Sequence, residues 1–178
     1  LKAAETIQVG SAAALKAGVG GLKADAQTVH IDGMITATTD IELRAERELT
    51  VDGTLIAGQD IQLTSHYLPV ISSGLSLSIN GMLMAGQYLS VNSSSAGSVT
   101  IMGILKSGSH LTIISGGLLE LTASGSLMSA SASVSLITDQ GDIKLLGAIS
   151  SAEDLNLISA AAVNIAGTLI AKTAVSVV

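Results

Sequence analysis

Apolar and polar residues alternate in short runs along this chain, and the runs return about once every twenty residues with a glycine in the same place. The pattern reads Val29-His-Ile31-Asp-Gly33-Met-Ile35, Leu49-Thr-Val51-Asp-Gly53-Thr-Leu55, Leu77-Ser-Ile79-Asn-Gly81-Met-Leu83 and Val99-Thr-Ile101-Met-Gly103-Ile-Leu105. Weaker copies centre on Gly125, Gly147 and Gly167. Subtracting successive glycine positions gives 20, 28, 22, 22, 22 and 20, a period too short for a helical hairpin repeat. Self-similarity of this kind marks a stack of equivalent units, and here the unit is one turn of a coil.

The second half of the unit moves in step with the first. Eight and ten residues after most of the glycines stand two more apolar residues: Ile41 and Leu43, Ile61 and Leu63, Leu89 and Val91, Leu111 and Ile113, Leu155 and Leu157, Val175 and Val177. Only the Gly125 unit slips, to Val134 and Leu136, as if one residue were inserted. Four residues after each glycine the side chain is small (Ala37, Ala57, Ala85, Ser107, Ser129, Ser151, Ala171), as a tight inward corner demands.

Period-two alternation rich in Val, Ile, Leu and Thr and punctuated by Gly is a strand signal. Each unit therefore carries two or three short strands, and stacking one coil on the next at about 4.8 Å satisfies their backbone hydrogen bonds. The expected fold is all-β, a parallel β-helix (β-solenoid) with coils of about 20–22 residues. Glycines should sit at bends where a Cβ is in the way or φ is positive. Ile31, Val51, Ile79, Ile101, Leu145 and Ile165 should form one interior column, with Asp32, Asp52, Asn80 and Lys144 pointing outward.

Residues 1–28 read as one or two irregular first coils, in which Thr6-Ile7-Gln8-Val9 resembles the second half of a unit. Residues 29–178 read as regular repeats of a single domain, interrupted by an inserted loop at 64–74 where the spacing stretches to 28. Eight or nine coils imply a rod of about 40 Å. With neither end showing a polar capping coil, the chain reads as a piece of a longer array.

The half-unit Gly53-Thr-Leu-Ile-Ala57-Gly-Gln-Asp60-Ile-Gln-Leu63-Thr, echoed by Gly81-Met-Leu-Met-Ala85-Gly-Gln-Tyr88-Leu-Ser-Val91, resembles the filamentous haemagglutinin repeats of Gram-negative bacteria, which run roughly Gly-x-Leu-x-Ala-Gly-Gly-Asp-Leu-x-Leu. The likeness covers about residues 29–178, with Gln59 and Gln87 in place of the second glycine. The resemblance implies a right-handed β-helix forming the stalk of a long exoprotein exported by two-partner secretion, either an adhesin or a contact-dependent growth-inhibition toxin. It also implies an outer-membrane transporter as partner during export, a host or target-cell receptor, and a location outside the cell or on its surface.

Composition fits a narrow aliphatic core: hydrophobic residues make up 48% of the chain and aromatic ones 1%, with no Phe or Trp. Charged residues are only 12%, as expected where like charges would otherwise stack every few ångströms. A net charge of −6 and a pI near 4.8 disfavour nucleic acid as a partner. There is no cysteine, so disulfides are not used, and no run of about eighteen apolar residues that would suggest a membrane helix.

Candidate chemistry is sparse. Asp32 and Asp52 share a slot in adjacent coils, with Asn80 next, and stacked carboxylates can bind Ca²⁺ or act as the acid pair of a polysaccharide-cleaving β-helix. The simpler reading is that Asp and Asn favour the residue before a turn glycine. Asp40, Asp60 and Asp154 recur seven residues after their glycines, but Tyr88 and His110 interrupt that column, which points to a role at the start of a strand. The stretch 42–48, with Arg44 and Arg47 between acids, reads as a solvated face with weak charge pairing. His30, His66 and His110 show no metal-ligand spacing.

The inserted loop is the preferred place for recognition, through His66, Tyr67, Leu68, Pro69 and Val70. No catalytic residue, cofactor or metal ligand is expected. The leading function is a structural stalk. The alternatives are a carbohydrate- or receptor-binding adhesive module and, further off, a polysaccharide-degrading enzyme. A solenoid with open strand edges is also expected to associate end to end.

Overall fold

The computed structural model describes residues 1–66, 76–93 and 96–178. Among them every regular element is a strand, and neighbouring strands pair in parallel. The chain winds as a β-solenoid whose coils each carry three strands on three faces, as the alternation in the sequence requires.

Face one holds the strand before each glycine: Thr6–Val9, Ser76–Ile79, Ser98–Ile101, Leu119–Leu121, Ile143–Leu145 and Val163–Ile165. Face two holds the strand after it, an eight-stranded sheet from Ala14–Ala17 and Met34–Ala37 through to Thr168–Ala171. Face three holds Ile61–Ser65, Leu89–Ser93, Leu111–Ser115, Val134–Thr138, Leu155–Ser159 and Val175–Val177. Faces one and three form a single 14-stranded sheet, because the long strands Leu22–Ile31 and Ile41–Val51 run from face three into face one without a break. The first half of Ile41–Val51 pairs with Ile61–Ser65 and its second half with Ser76–Ile79.

Inward residues stack on their own equivalents. Ile31 pairs with Val51, Val51 with Ile79, Ile79 with Ile101, Ile101 with Leu121, Leu121 with Leu145 and Leu145 with Ile165. The first six of these seven have no exposed surface. The expected column is therefore present and gains Leu121. Ile165 departs from the expectation: it holds its place in the ladder yet is 46% exposed, since it belongs to the end coil and nothing covers it on one side. Val175 and Val177, stacked on the buried Leu155 and Leu157, are half exposed for the same reason.

The first coil corrects the sequence reading. Thr6–Val9 pairs with 28–31, so it is the first strand of a unit and not its second half. Ala14–Ala17 pairs with Met34–Ala37, and 22–26 pairs with 41–45, which makes residues 6–26 one complete coil. The mismatch arises at the corner: Val9 and Leu15 are six residues apart where Ile31 and Ile35 are four apart, so the glycine falls out of phase. The slip of the Gly125 unit has the same cause. Val134 and Leu136 pair with Leu111 and Ile113 in unbroken register, and the extra residue is absorbed in the turn between Ser129 and Val134.

The glycine column is fixed by contact with the coil below. A Cβ on Gly53 would stand 1.9 Å from the carbonyl oxygen of Gly33, one on Gly81 1.8 Å from that of Gly53, and one on Gly103 1.9 Å from that of Gly81. Of the two reasons expected for these glycines, the excluded Cβ applies; positive φ among the described glycines occurs only at Gly21, at 69°.

Gly81→Ala is expected to destabilise by at least about 3 kcal/mol, because backbone must yield to the new methyl. Gly20, around which a Cβ would meet nothing within 4 Å, should accept alanine within about 1 kcal/mol. Denaturant unfolding of the two variants checks this, and equal effects would contradict the stacking of the glycine corners.

Candidate functional site: a histidine and two carboxylates at the glycine corner

On face one the outward residues of the first coils are His30 and Thr50, paired across adjacent strands. Extended backbone puts residues two apart on the same side, so Asp32 follows His30 on the outer surface and Asp52 follows Thr50 one coil away. The three side chains converge. His30 Nε2 lies 2.7 Å from Asp32 Oδ1 and 3.5 Å from Asp52 Oδ2. One ligand-type atom from each of the three falls within 4.8 Å of the others.

Asn80, in the next coil, donates from Nδ2 to Asp52 Oδ1, and its own Oδ1 accepts from Ser78 Oγ at 3.2 Å. A polar chain thus runs over three coils from His30 to Ser78, with His30, Asp32 and Ser78 partly buried and Asp52 and Asn80 exposed. The sequence reading placed Asp32, Asp52 and Asn80 together and outward, as observed, but left His30 out. The signal was present: Asp32 stands two residues after His30, just past the end of its strand, and Asp52 stands twenty residues on, one coil period away.

The other candidates resolve into structural roles. Asp40 Oδ1 accepts the backbone N–H of Asp60 at 3.1 Å, and Asp60 Oδ1 accepts that of Tyr88 at 3.1 Å. These carboxylates tie the start of one face-three strand to the next coil. In the same slot Tyr88 and His110 stack with ring centroids 5.7 Å apart and an interplanar angle of 7°. The Asp154 carbonyl accepts from Val134 N–H at 3.0 Å and from Ser151 Oγ at 2.8 Å.

Of the proposed recognition loop, His66 is exposed, follows Ile61–Ser65 and donates its backbone N–H to the Ala45 carbonyl at 2.8 Å. Tyr67, Leu68, Pro69 and Val70 lie outside the described residues. A shallow hollow of about 330 Å³ lined by Lys144, Leu146, Asn164, Ile165 and Ala166 sits at the same corner at the far end of the rod.

A second polar feature lies on face three. Lys23 Nζ contacts Glu42 Oε2 at 2.8 Å, and Arg44 Nε pairs with Glu42 Oε1. The Lys23 hydrogen bond holds the Glu42 carboxyl below its ordinary value of 4.5; partial burial opposes the shift, and the charges of Arg44 and Lys23 add to it.

No protein-family model, curated protein or solved structure matches the chain. The fold is read from its own geometry.

A carboxyl held low in the folded state stabilises it above the unfolded value and loses that contribution as pH falls through the folded one. Glu42→Gln should therefore lower the unfolding midpoint at neutral pH, and the gap between variant and parent should close once both folded and unfolded Glu42 are protonated. A gap that stays constant from neutral to strongly acid pH would show that the Lys23 pair contributes nothing through charge.

Proposed function

We propose that this chain is a rigid structural segment of a secreted bacterial surface protein, a β-solenoid shaft of the filamentous haemagglutinin type that carries a distal functional domain away from the cell. The observation that supports this reading is that one aliphatic core continues in register from coil to coil. Among the described residues, coil length varies at the corners and at one register shift between Ala26 and Thr28, and the strands on three faces stay aligned. Eight strands of face two, separated by about 4.8 Å, give a shaft about 34 Å long. A shaft has one mechanical requirement, that force and position pass along it without a break, and parallel stacking meets it.

A spacer made of equivalent coils accepts another coil. Duplicating residues 81–102 should leave the strand content of the circular dichroism spectrum unchanged and lengthen the particle by about 4.8 Å in small-angle scattering. A duplication that unfolds the protein would count against repeat equivalence. Polysaccharide cleavage abolished by Asp32→Asn or Asp52→Asn would replace the structural reading with the enzymatic one.

The half-exposed Ile165, Val175 and Val177 at one end, together with unpaired strand edges, favour pairing with a second copy. Sedimentation of the 178-residue chain over a range of concentrations should show growing oligomers. A monomer throughout that range would remove the self-association.

A further inference from the structure

We propose that His30, Asp32 and Asp52 form a binding site for a divalent transition-metal ion of the zinc type, joining the second and third coils of the shaft. The argument begins with what a single proton on His30 Nε2 can do. At 2.7 Å from Asp32 Oδ1 it makes one good hydrogen bond, but at 3.5 Å Asp52 Oδ2 is beyond useful range. A proton serves one carboxylate. A metal at the same place serves both.

The spacing suits this. Ligand atoms about 2.0–2.1 Å from a tetrahedral ion stand about 3.3 Å from one another. The 3.5 Å separation from Asp52 is close to that requirement, the 2.7 Å separation from Asp32 needs to open by roughly 0.6 Å, and all three ligand atoms lie within 4.8 Å of one another.

Two further features prepare the site. Asn80 Nδ2 occupies Asp52 Oδ1 and leaves Oδ2 turned to His30, the arrangement by which an outer hydrogen bond orients a ligand. Asp32 and Asp52 also stack in register as like charges, and among the described residues no Lys or Arg makes an ion pair with either. Their shared field calls for a cation.

The donor set decides which one. One imidazole nitrogen and two carboxylate oxygens suit zinc and its neighbours, whereas calcium seeks six to eight oxygens. The ligands come from adjacent coils, so the ion would act as a staple between them. The staple falls beside the corner at 10–13, where the first coil departs from the regular four-residue step.

The test is a calorimetric titration of the chelator-treated 178-residue chain with ZnCl₂, paired with CoCl₂ titration followed by visible absorption. We expect one ion per chain, zinc at least tenfold tighter than calcium or magnesium, and a rise in melting temperature on loading. His30→Gln should abolish binding, Asn80→Ala should weaken it about tenfold, and the double variant His66→Gln, His110→Gln should bind as the parent does. Each variant's strand spectrum is compared with the parent's. In the parent the ring proton resonances of His30 should move with zinc while those of His66 and His110 stay, which keeps the proposal testable even if His30→Gln fails to fold. Absence of saturable binding, zinc binding that survives His30→Gln, or calcium bound as tightly as zinc would each overturn it.

Discussion

Parallel hydrogen bonding between successive coils is the constraint from which the rest of this structure follows. Backbone groups on each face bond to the coil above and the coil below, so coil spacing is fixed near 4.8 Å and every side chain rests on its own equivalent. Like must then pack on like. Aliphatic side chains gain from this, since a column of Ile, Val and Leu fills a narrow interior without rings. Charges lose from it, which is why only 12% of the chain is charged; the outward slots of faces one and three are rich in Ser, Thr and Asn, while those of face two also carry Met and Ile.

The same constraint makes the corners the hardest places to build, because backbone there turns inward and its carbonyls risk burial without a partner. The three corners solve this in different ways. At the first, glycine lets one coil rest on the carbonyl of the next. At the second, the column Ala37, Ala57, Ala85, Ser107, Ser129 and Ser151 stays small, and its hydroxyls bond the turn: Ser107 to the Ser109 carbonyl at 2.9 Å, and Ser151 to those of Ala132 at 3.1 Å and Asp154 at 2.8 Å. At the third, Ser115 Oγ reaches the Gly97 and Leu118 carbonyls, both at 3.0 Å, and Thr138 Oγ1 that of Gly141 at 2.6 Å. A buried hydroxyl here offsets its own desolvation by donating to turn carbonyls, several of which (Gly97, Leu118, Ala132 and Asp154) also accept a backbone N–H.

The strands, the coil period and the first two corners were legible in the sequence because each depends on side-chain size or polarity at a fixed step. The third corner carried an equally regular mark, the small residues Ala45, Ser65, Ser93, Ser115, Thr138 and Ser159 two places after the second apolar residue. It was missed because the lengths that follow differ between coils and hide the period. Thr6–Val9 was misassigned for a related reason: its alternation fits either half of a unit, and the glycine that would decide is displaced by the longer turn at 10–13. The joining of faces one and three through Leu22–Ile31 and Ile41–Val51 had no local signature, since a strand that bends around a corner keeps the alternation of two separate strands. His30 has no ligand partner at a metal-site spacing along the chain, because in a solenoid the relevant distance is one coil period, and that period is what separates Asp32 from Asp52.

Two pairs of stacked aspartates on the same scaffold show how that distance turns into chemistry. Asp40 stacks on Asp60 and Asp32 on Asp52, so both pairs bring carboxylates together against their mutual repulsion. In the first pair the repulsion is offset by backbone: each Oδ1 accepts an N–H from the following coil, and the carboxylates are part of the ladder. In the second pair the hydrogen bonds and ion pairs of both carboxylates go to side chains, His30 and Asn80. A carboxylate held by backbone cannot be exchanged for anything, because the N–H stays where the fold puts it. One held by an imidazole can trade that partner's proton for an ion of higher charge. The two pairs share a residue type and a spacing, and the difference in what holds them separates a structural clip from a site.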